Sequence, residues 1–214
     1  DKMRKRITIH LNQRSEMLSG ISHDLRTPLT RLKLQLALLK QQDLAKKMGD
    51  DIDEMEKMLN EYLEFSRHQK NEETETVKIN DIIEEVVKKY ESKKINTNLN
   101  ENLRINIRPN SIKRCLSNLI DNGLSYGGIV SISSNKMKSN LSIIIDDDGP
   151  GIAEKEYQNV MKPFYRIDKS RGQNKSGVGL GLSIANDIIR SHGGIISLHK
   201  SPLNGLRVMI SLPL

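Results

Sequence analysis

The sequence predicts an α + α/β chain, in which a helical hairpin is followed by an α/β sandwich with helices on one face of a mixed sheet. Three observations carry that expectation. The first 70 or so residues hold apolar side chains at heptad-like spacing; a short polar stretch without period, NEETET at 71–76, interrupts the chain; and beyond it β-like runs alternate with amphipathic helical patterns. Aromatic residues make up only 3% of the chain and Trp is absent, so its cores must be built from Leu, Ile, Val and Met, which suits helical packing better than an aromatic β-sandwich.

Taken in order, the first helix is marked by Leu18, Ile21, Leu25, Leu32 and Leu39, and the second by Ile52, Met55, Leu59 and Tyr62. Steps of three, four and seven are those of helices packed at shallow angles in a bundle. Leu29, Leu34, Leu36 and Leu38 widen the first stripe beyond what one partner helix covers, so a four-helix bundle formed by two chains is expected. After the 71–76 linker, strands are expected at 77–79, 95–98, 103–107, 129–133, 141–145, 195–199 and 206–212. Helices are expected at 81–90, 111–124, 154–160 and 180–192, and the Gly- and Lys-rich stretch 168–177 reads as a mobile loop.

The formal charge is +7, but most of it is scattered Lys on a solvated Lys/Glu surface, with a cluster only at Lys2, Arg4, Lys5 and Arg6. A nucleic-acid-binding reading rests on that charge alone and lacks base-stacking aromatics, so no nucleic-acid partner is expected. No apolar run of roughly 18 residues is present to span a membrane. A basic cluster of this kind also follows a transmembrane segment on its cytoplasmic side. The single Cys115 excludes an intrachain disulfide and a cysteine zinc site, and lies in the apolar stripe of Ile112, Leu116 and Leu119 as a buried structural thiol.

Four clusters carry chemistry. In Ser22-His23-Asp24-Leu25-Arg26-Thr27-Pro28, His23 lies two residues past Ile21, about 200° around the helix and so toward solvent. Asp24 is placed to hold the imidazole in the tautomer that leaves a lone pair free, and Thr27 lies one turn on with a hydroxyl for a water or phosphoryl oxygen. Pro28 removes a helix hydrogen bond just beyond the nucleophile and should bend the helix. Asn118 and Asn122 share a helix face, where amide oxygens suit Mg²⁺; alone they read as solvated polar residues. Asp147-Asp148-Gly149-Pro150-Gly151 follows an apolar strand, giving a carboxylate that can accept from an exocyclic amine; alone it reads as a turn. Gly177-Val178-Gly179-Leu180-Gly181 opens a helix and suits phosphate, without the context of a dinucleotide fold or the Gly-Lys-Ser/Thr of a Walker loop.

The order of the four, from about Arg14 to Leu214, resembles the sensor histidine kinases of two-component signalling, and SHDLRTPLTR, PNSIKR and DDDGPGIA are most similar to the EnvZ-type osmosensor kinases. The resemblance implies an upstream helical linker (1–13), a dimerisation and histidine-phosphotransfer hairpin (14–70), the linker (71–76) and a gyrase/Hsp90-type ATP-binding sandwich (77–214). It implies ATP and Mg²⁺ as cofactors, His23 as phospho-acceptor, Asp24 as its acid/base partner and Thr27 as the residue that positions water for phosphatase action on a phosphorylated regulator. Asn122 matches the Mg²⁺ ligand with Asn118 beside it, Asp147 the adenine-binding carboxylate with Gly149 and Gly151 shaping its pocket, and Tyr126 a tyrosine against the nucleotide. Arg166, in Pro163-Phe164-Tyr165-Arg166, matches a contact to the γ-phosphate; residues 153–176 would contain the lid, and Gly177, Gly179, Leu180 and Gly181 close the phosphate end.

Partners implied are a second copy of the chain and an OmpR-like response regulator. The full-length protein is expected at the cytoplasmic face of the bacterial inner membrane through upstream segments, with this stretch soluble. Three positions depart from the family pattern: Ser125 where Lys or Arg is common, Met161 where a Phe is usual, and Asp148 where Asn is frequent. A gyrase/Hsp90-type ATPase shares the last three clusters but not the His box or the heptad hairpin.

Overall fold

The computed structural model describes residues 28–32, 34–36, 44–46, 48–50, 52–53, 55–56, 72–90, 94–167 and 179–214. The chain divides into two compact units, Asp1–Asn71 and Glu72–Leu214.

In the first unit every described residue is helical. Leu36 and Ile52 are buried, whereas Leu32, Leu34, Leu44, Met48 and Met55 are exposed in the single chain. Leu32 and Met55 belong to the heptad seams, so part of that apolar stripe has no cover within one copy.

The second unit begins with β1 (Glu75–Lys78) and α1 (Ile79–Lys88), followed by β2 (Lys94–Leu99) and β3 (Arg104–Ile107). Next come α2 (Pro109–Tyr126), the hairpin β4 (Ile129–Met137) and β5 (Asn140–Asp147), α3 (Gly181–Ser191), β6 (Ile195–Lys200) and β7 (Leu206–Pro213). Strands β1 and β3 form a two-stranded antiparallel ribbon; the other five run in the order β2-β4-β5-β7-β6. Among the described residues only β2 and β4 are parallel, and α2 lies in the connection between them, as a parallel crossover requires.

Alternation sets which face is covered. Leu141, Ile143 and Ile145 of β5 stand beside Leu212, Ile210 and Val208 of β7, and all six are buried under the helices. The intervening Ser142, Ile144 and Asp146 point the other way. Helix α2 packs on β4 and β5, α3 on β6, and both α1 and α3 lean on α2. Each helix brings a matching stripe, such as Ile79, Ile82, Ile83 and Val86 on α1. Burying each such side chain fully contributes about 1.5–3 kcal/mol relative to exposure.

The arrangement follows the expected sandwich, with two differences in its elements. The expected helix at 154–160 is a single 3-10 turn, Glu154–Glu156, continued by turns. Its amides at Glu156, Tyr157, Asn159 and Lys162 bond three residues back, and the Asn159 side chain donates to Glu156 Oε2 (3.2 Å), so local polar bonds outcompete an α-helical ladder. Strand β1 starts at Glu75, inside the stretch read as a linker, because Thr76 and Val77 pair with Asn106 and Ile105.

Candidate functional site

The site forms where the C-terminal end of β5 meets α2 and the start of α3. Asp147 ends β5 and is 7% exposed. Its Oδ1 accepts the Gly149 amide (2.9 Å) and the Leu206 amide (3.0 Å). Both bonds use the same oxygen; Oδ2 lies 3.9 Å from where a Cβ on Gly123 of α2 would stand. Burial pushes the Asp147 carboxyl above the usual range, against the two amides that pull it down. The result is a fixed, partly desolvated acceptor beside a helix position with no side chain.

The glycines around it are there for space. A Cβ on Gly123 would stand 2.9 Å from Val130 Cγ2, and one on Gly149 3.1 Å from the Tyr126 carbonyl. Gly151 has φ +70°, a left-handed conformation that favours glycine, beside the Gly205 carbonyl. Asp148, exposed, faces away from Asp147 in function as well: its Oδ1 accepts the Gly128 (2.6 Å) and Ile129 (2.8 Å) amides, which hold its carboxyl below the usual range. Those two bonds fasten the loop after β5 to the start of β4, and an Asn carbonyl could accept them equally, which accounts for that departure.

Helix α2 carries Asn118 and Asn122 on one face, both half-buried. The Asn118 Nδ2 is buried and has no hydrogen-bond partner. A buried, unpaired amide costs about 1–3 kcal/mol, so this N–H is a donor open to an acceptor from a ligand or a water. A Cβ at Gly181, the first residue of α3, would stand 3.7 Å from the Asn118 carbonyl, so the helix start lies against this residue. That start has no side-chain cap and no acidic residue in its first turn, and the Ser183 hydroxyl is turned back to the Leu180 carbonyl (2.9 Å). Its first amides and the helix dipole therefore suit an anion.

Gly179 (φ +76°) joins a third segment to this end. Its carbonyl accepts the Phe164 amide (3.0 Å), and a Cβ on it would stand 2.9 Å from the Tyr165 carbonyl and 3.3 Å from Arg166 Cγ. Arg166 thus lies against Gly179, two residues before the α3 start. The Tyr165 hydroxyl donates to Glu156 Oε2 (2.6 Å), bracing this segment on the 3-10 turn. Tyr126, 45% exposed, ends α2, and the Ser125 hydroxyl donates back to the Asp121 carbonyl (2.6 Å) within the same helix.

The fold therefore gathers Asn118, Gly149, Asp147, Gly151, Gly179, Leu180, Gly181 and Arg166 from four separate stretches of sequence. His23, Asp24, Thr27 and Gly177 lie outside the described residues, as does the 168–176 part of the loop. Cys115 is fully buried against the Ala185 carbonyl (3.9 Å), and burial pushes its thiol up to about 12, as expected of a structural cysteine.

Sequence reasoning missed Gly205. A Cβ there would collide with Asp147 Oδ1 and the Asp147 carbonyl and stand 2.6 Å from the Gly149 amide. The signal was present: Asn204-Gly205, with Asn204 at φ +76°, is a hairpin dipeptide between the β6 and β7 runs.

What the arrangement offers is an oriented carboxylate acceptor at one end and amide donors with a helix N-terminus at the other. Among the described residues no group of three or more His, Cys, Asp or Glu could hold a metal by itself. A hard cation arriving with a phosphate would find amide oxygens on α2 instead.

Comparison with known proteins gives two family matches. Residues 13–71 match the His Kinase A (phospho-acceptor) domain, and residues 107–214 match the histidine kinase-, DNA gyrase B- and HSP90-like ATPase family. The chain is 36% identical to the sensor histidine kinase GtrS of Pseudomonas aeruginosa over 99% of its own length and 44% of that protein. It is 34% identical to the sensor histidine kinase CpxA of Escherichia coli over 95% of its length and 48% of CpxA. The chain thus spans less than half of either curated relative. Among solved structures, the histidine kinase AdeS of Acinetobacter baumannii superposes with a TM-score of 0.61 at 26% identity, covering 89% of this chain and 97% of that one.

Proposed function

Because the chain belongs to the sensor histidine kinases, with a phospho-acceptor domain and an ATPase-type domain in one polypeptide, we propose that it binds Mg–ATP in the α2/β5/α3 site and transfers the γ-phosphoryl group to His23. The observation that carries the nucleotide half is the buried, unpaired side-chain amide of Asn118, a residue whose carbonyl and Cβ lie beside the uncapped start of α3. An apolar packing site would have no use for either.

In this reading Asp147 accepts from the exocyclic amine of adenine through the oxygen its two backbone amides leave open. Gly149 and Gly151 let the base approach, and Tyr126 packs against the nucleotide. Asn118 donates to phosphate oxygens, and the amides of the Gly177–Gly181 stretch, with Leu180 and Gly179, close the phosphate end. Arg166 offsets charge on the transferring group. Asn122 supplies an oxygen to Mg²⁺, whose chemistry is to neutralise charge between the phosphates.

Phosphoryl transfer asks mainly for positioning. The neutral His23 imidazole attacks the γ-phosphorus, a P–N bond forms, the bond to the bridging oxygen breaks, and ADP leaves. Asp24 takes up the imidazole proton. The phosphoramidate then passes its phosphoryl group to an aspartate of a response regulator, which we take to be OmpR-like. Thr27, one helical turn from His23 by sequence spacing, supports a second activity in which water removes phosphate from the regulator. The exposed Leu32, Leu34, Leu44, Met48 and Met55 support a homodimer through the hairpin. The basic residues at the chain start support a place on the cytoplasmic face of the inner membrane in the longer protein; no described helix is long and apolar enough to cross a membrane.

Labelling with γ-phosphate-labelled Mg–ATP tests the reading. Acid-labile, base-stable label on the chain supports it; label stable to acid contradicts a phosphohistidine.

A further inference from the structure

Helix α2 carries both asparagines of the nucleotide site, yet it lacks a cap of its own. Arg108 at its N-cap makes no capping bond, Pro109 follows, and no acidic residue stands in the first turn. The amides of Asn110 and Ser111 would be orphaned at such an end. Glu72 supplies what is missing from outside the helix. Its Oε1 accepts the Asn110 amide, and its Oε2 accepts both the Ser111 amide (3.0 Å) and the Ser111 hydroxyl (2.6 Å). A carboxylate at this position also opposes the positive end of the helix dipole.

Glu72 is the first residue of the second unit, the point where the chain arrives from the phospho-acceptor unit. A further segment converges on the same helix end. Arg108 donates from its backbone amide (3.1 Å) and Nε (3.3 Å) to His192 Nε2, and from Nη2 to Ser191 Oγ, at the end of α3. The entry of the chain is therefore locked to the ends of the two helices whose other parts carry Asn118, Asn122 and Gly181.

We propose that Glu72 is a positioning residue for phosphoryl transfer, its capping carboxylate fixing the incoming chain to the nucleotide-bearing helix α2. This rests on the assignment of His23 as the acceptor of phosphate from bound ATP. Transfer between two tethered units runs at a rate set by effective concentration and orientation, which depend on where the tether is anchored. Without the cap the first described residue fastened to the second unit moves from Glu72 to Glu75 at the start of β1, which adds three residues to the connection between the units. The nucleotide contacts themselves are left in place, two turns or more along α2.

The test uses the 214-residue chain as wild type, Glu72→Ala, Glu72→Gln and Ser111→Ala. ATP affinity, the rate of His23 labelling at saturating Mg–ATP, and hydrogen exchange at the Asn110 and Ser111 amides are measured together. Glu72→Ala is expected to speed exchange at both amides, to leave ATP affinity within about twofold, and to slow labelling roughly threefold to tenfold. Glu72→Gln keeps an acceptor oxygen and is expected to recover most of the rate. An unchanged labelling rate with both amides exposed overturns the proposal, and so does a loss of ATP affinity that matches the loss of rate. If Glu72→Ala does not fold, Ser111→Ala decides: a smaller drop in rate at unchanged affinity supports the proposal, and a wild-type rate overturns it. Failure of the wild type to label at all takes down the kinase assignment, and this proposal with it, and is told apart by that control alone.

Discussion

Asp147 Oδ1 accepts the Leu206 amide across 59 residues of sequence, at 3.0 Å, and takes the Gly149 amide with the same oxygen. One oxygen holds the fold together, and in the function we propose the other accepts from the ligand. Replacing Asp147 with Asn separates these duties. The Asn carbonyl can still accept both backbone amides, but its NH₂ then opposes the amine of adenine, donor to donor. Asp147→Asn is expected to keep a near-wild-type unfolding midpoint and to weaken ATP binding roughly tenfold to hundredfold. Calorimetric titration with ATP, alongside urea unfolding, checks both halves; unchanged affinity would remove Asp147 from the base pocket.

Gly205 makes the same point from the other strand. Its missing Cβ is what lets the β6–β7 turn lie against the Asp147 backbone and the Gly149 amide. Gly205→Ala must push that backbone apart, at a cost of about 1–3 kcal/mol or more. Both the melting temperature and ATP affinity should fall, in contrast to Asp147→Asn, where only affinity falls. A stable Gly205→Ala protein with normal affinity would mean that the turn does not support the site.

His192 offers a pH signature. Burial, and then the neighbouring Arg108, hold it below the usual histidine range, while the Ile188 carbonyl and Glu72 pull the other way. Its Nδ1 bonds the Ile188 carbonyl (2.7 Å) and its Nε2 accepts from Arg108, so the folded chain favours the neutral ring. The unfolded chain takes up the proton first as pH falls. Stability from His192 is therefore complete above the unfolded value near 6.5 and is lost as pH falls from there to the lowered folded value. The urea midpoint of the wild type should drop more between about pH 7.5 and 5.5 than that of His192→Gln, which cannot titrate in this window. Parallel curves would show that the ring protonates freely in the fold.

Much of this architecture is legible in the chain itself. The alternation in Leu141, Ile143, Ile145 and in Leu206, Val208, Ile210, Leu212 places the central strands, because a strand buried on one face repeats every second residue. The stripes of α1, α2 and α3 are as clear, for the helical period is equally local. What sequence could not give are bonds between distant segments. Gly205 reads as an ordinary hairpin glycine until Asp147 is placed beside it. Glu72 reads as one acidic residue in NEETET until the uncapped α2 is brought to it. The 154–160 stretch carries a helical pattern, but side-chain bonds among Glu156, Asn159 and Tyr165 decide its form, and a periodicity argument does not weigh those.

The residues proposed for the nucleotide half come from their motifs, and the fold brings several of them together. Asn118 is informative only with Gly181 against it and its Nδ2 unpaired. His23 stands apart, because its role was drawn from its neighbours in sequence and from the family the chain belongs to.

The central claim is that phosphate passes from ATP bound between α2, β5 and α3 to His23. It is tested most directly by comparing the wild-type chain with His23→Ala under labelled Mg–ATP, with ATP affinity measured on both. The account predicts acid-labile label on the wild type, none on His23→Ala, and equal ATP affinity for the two. Label of the same chemistry and amount on His23→Ala would contradict it.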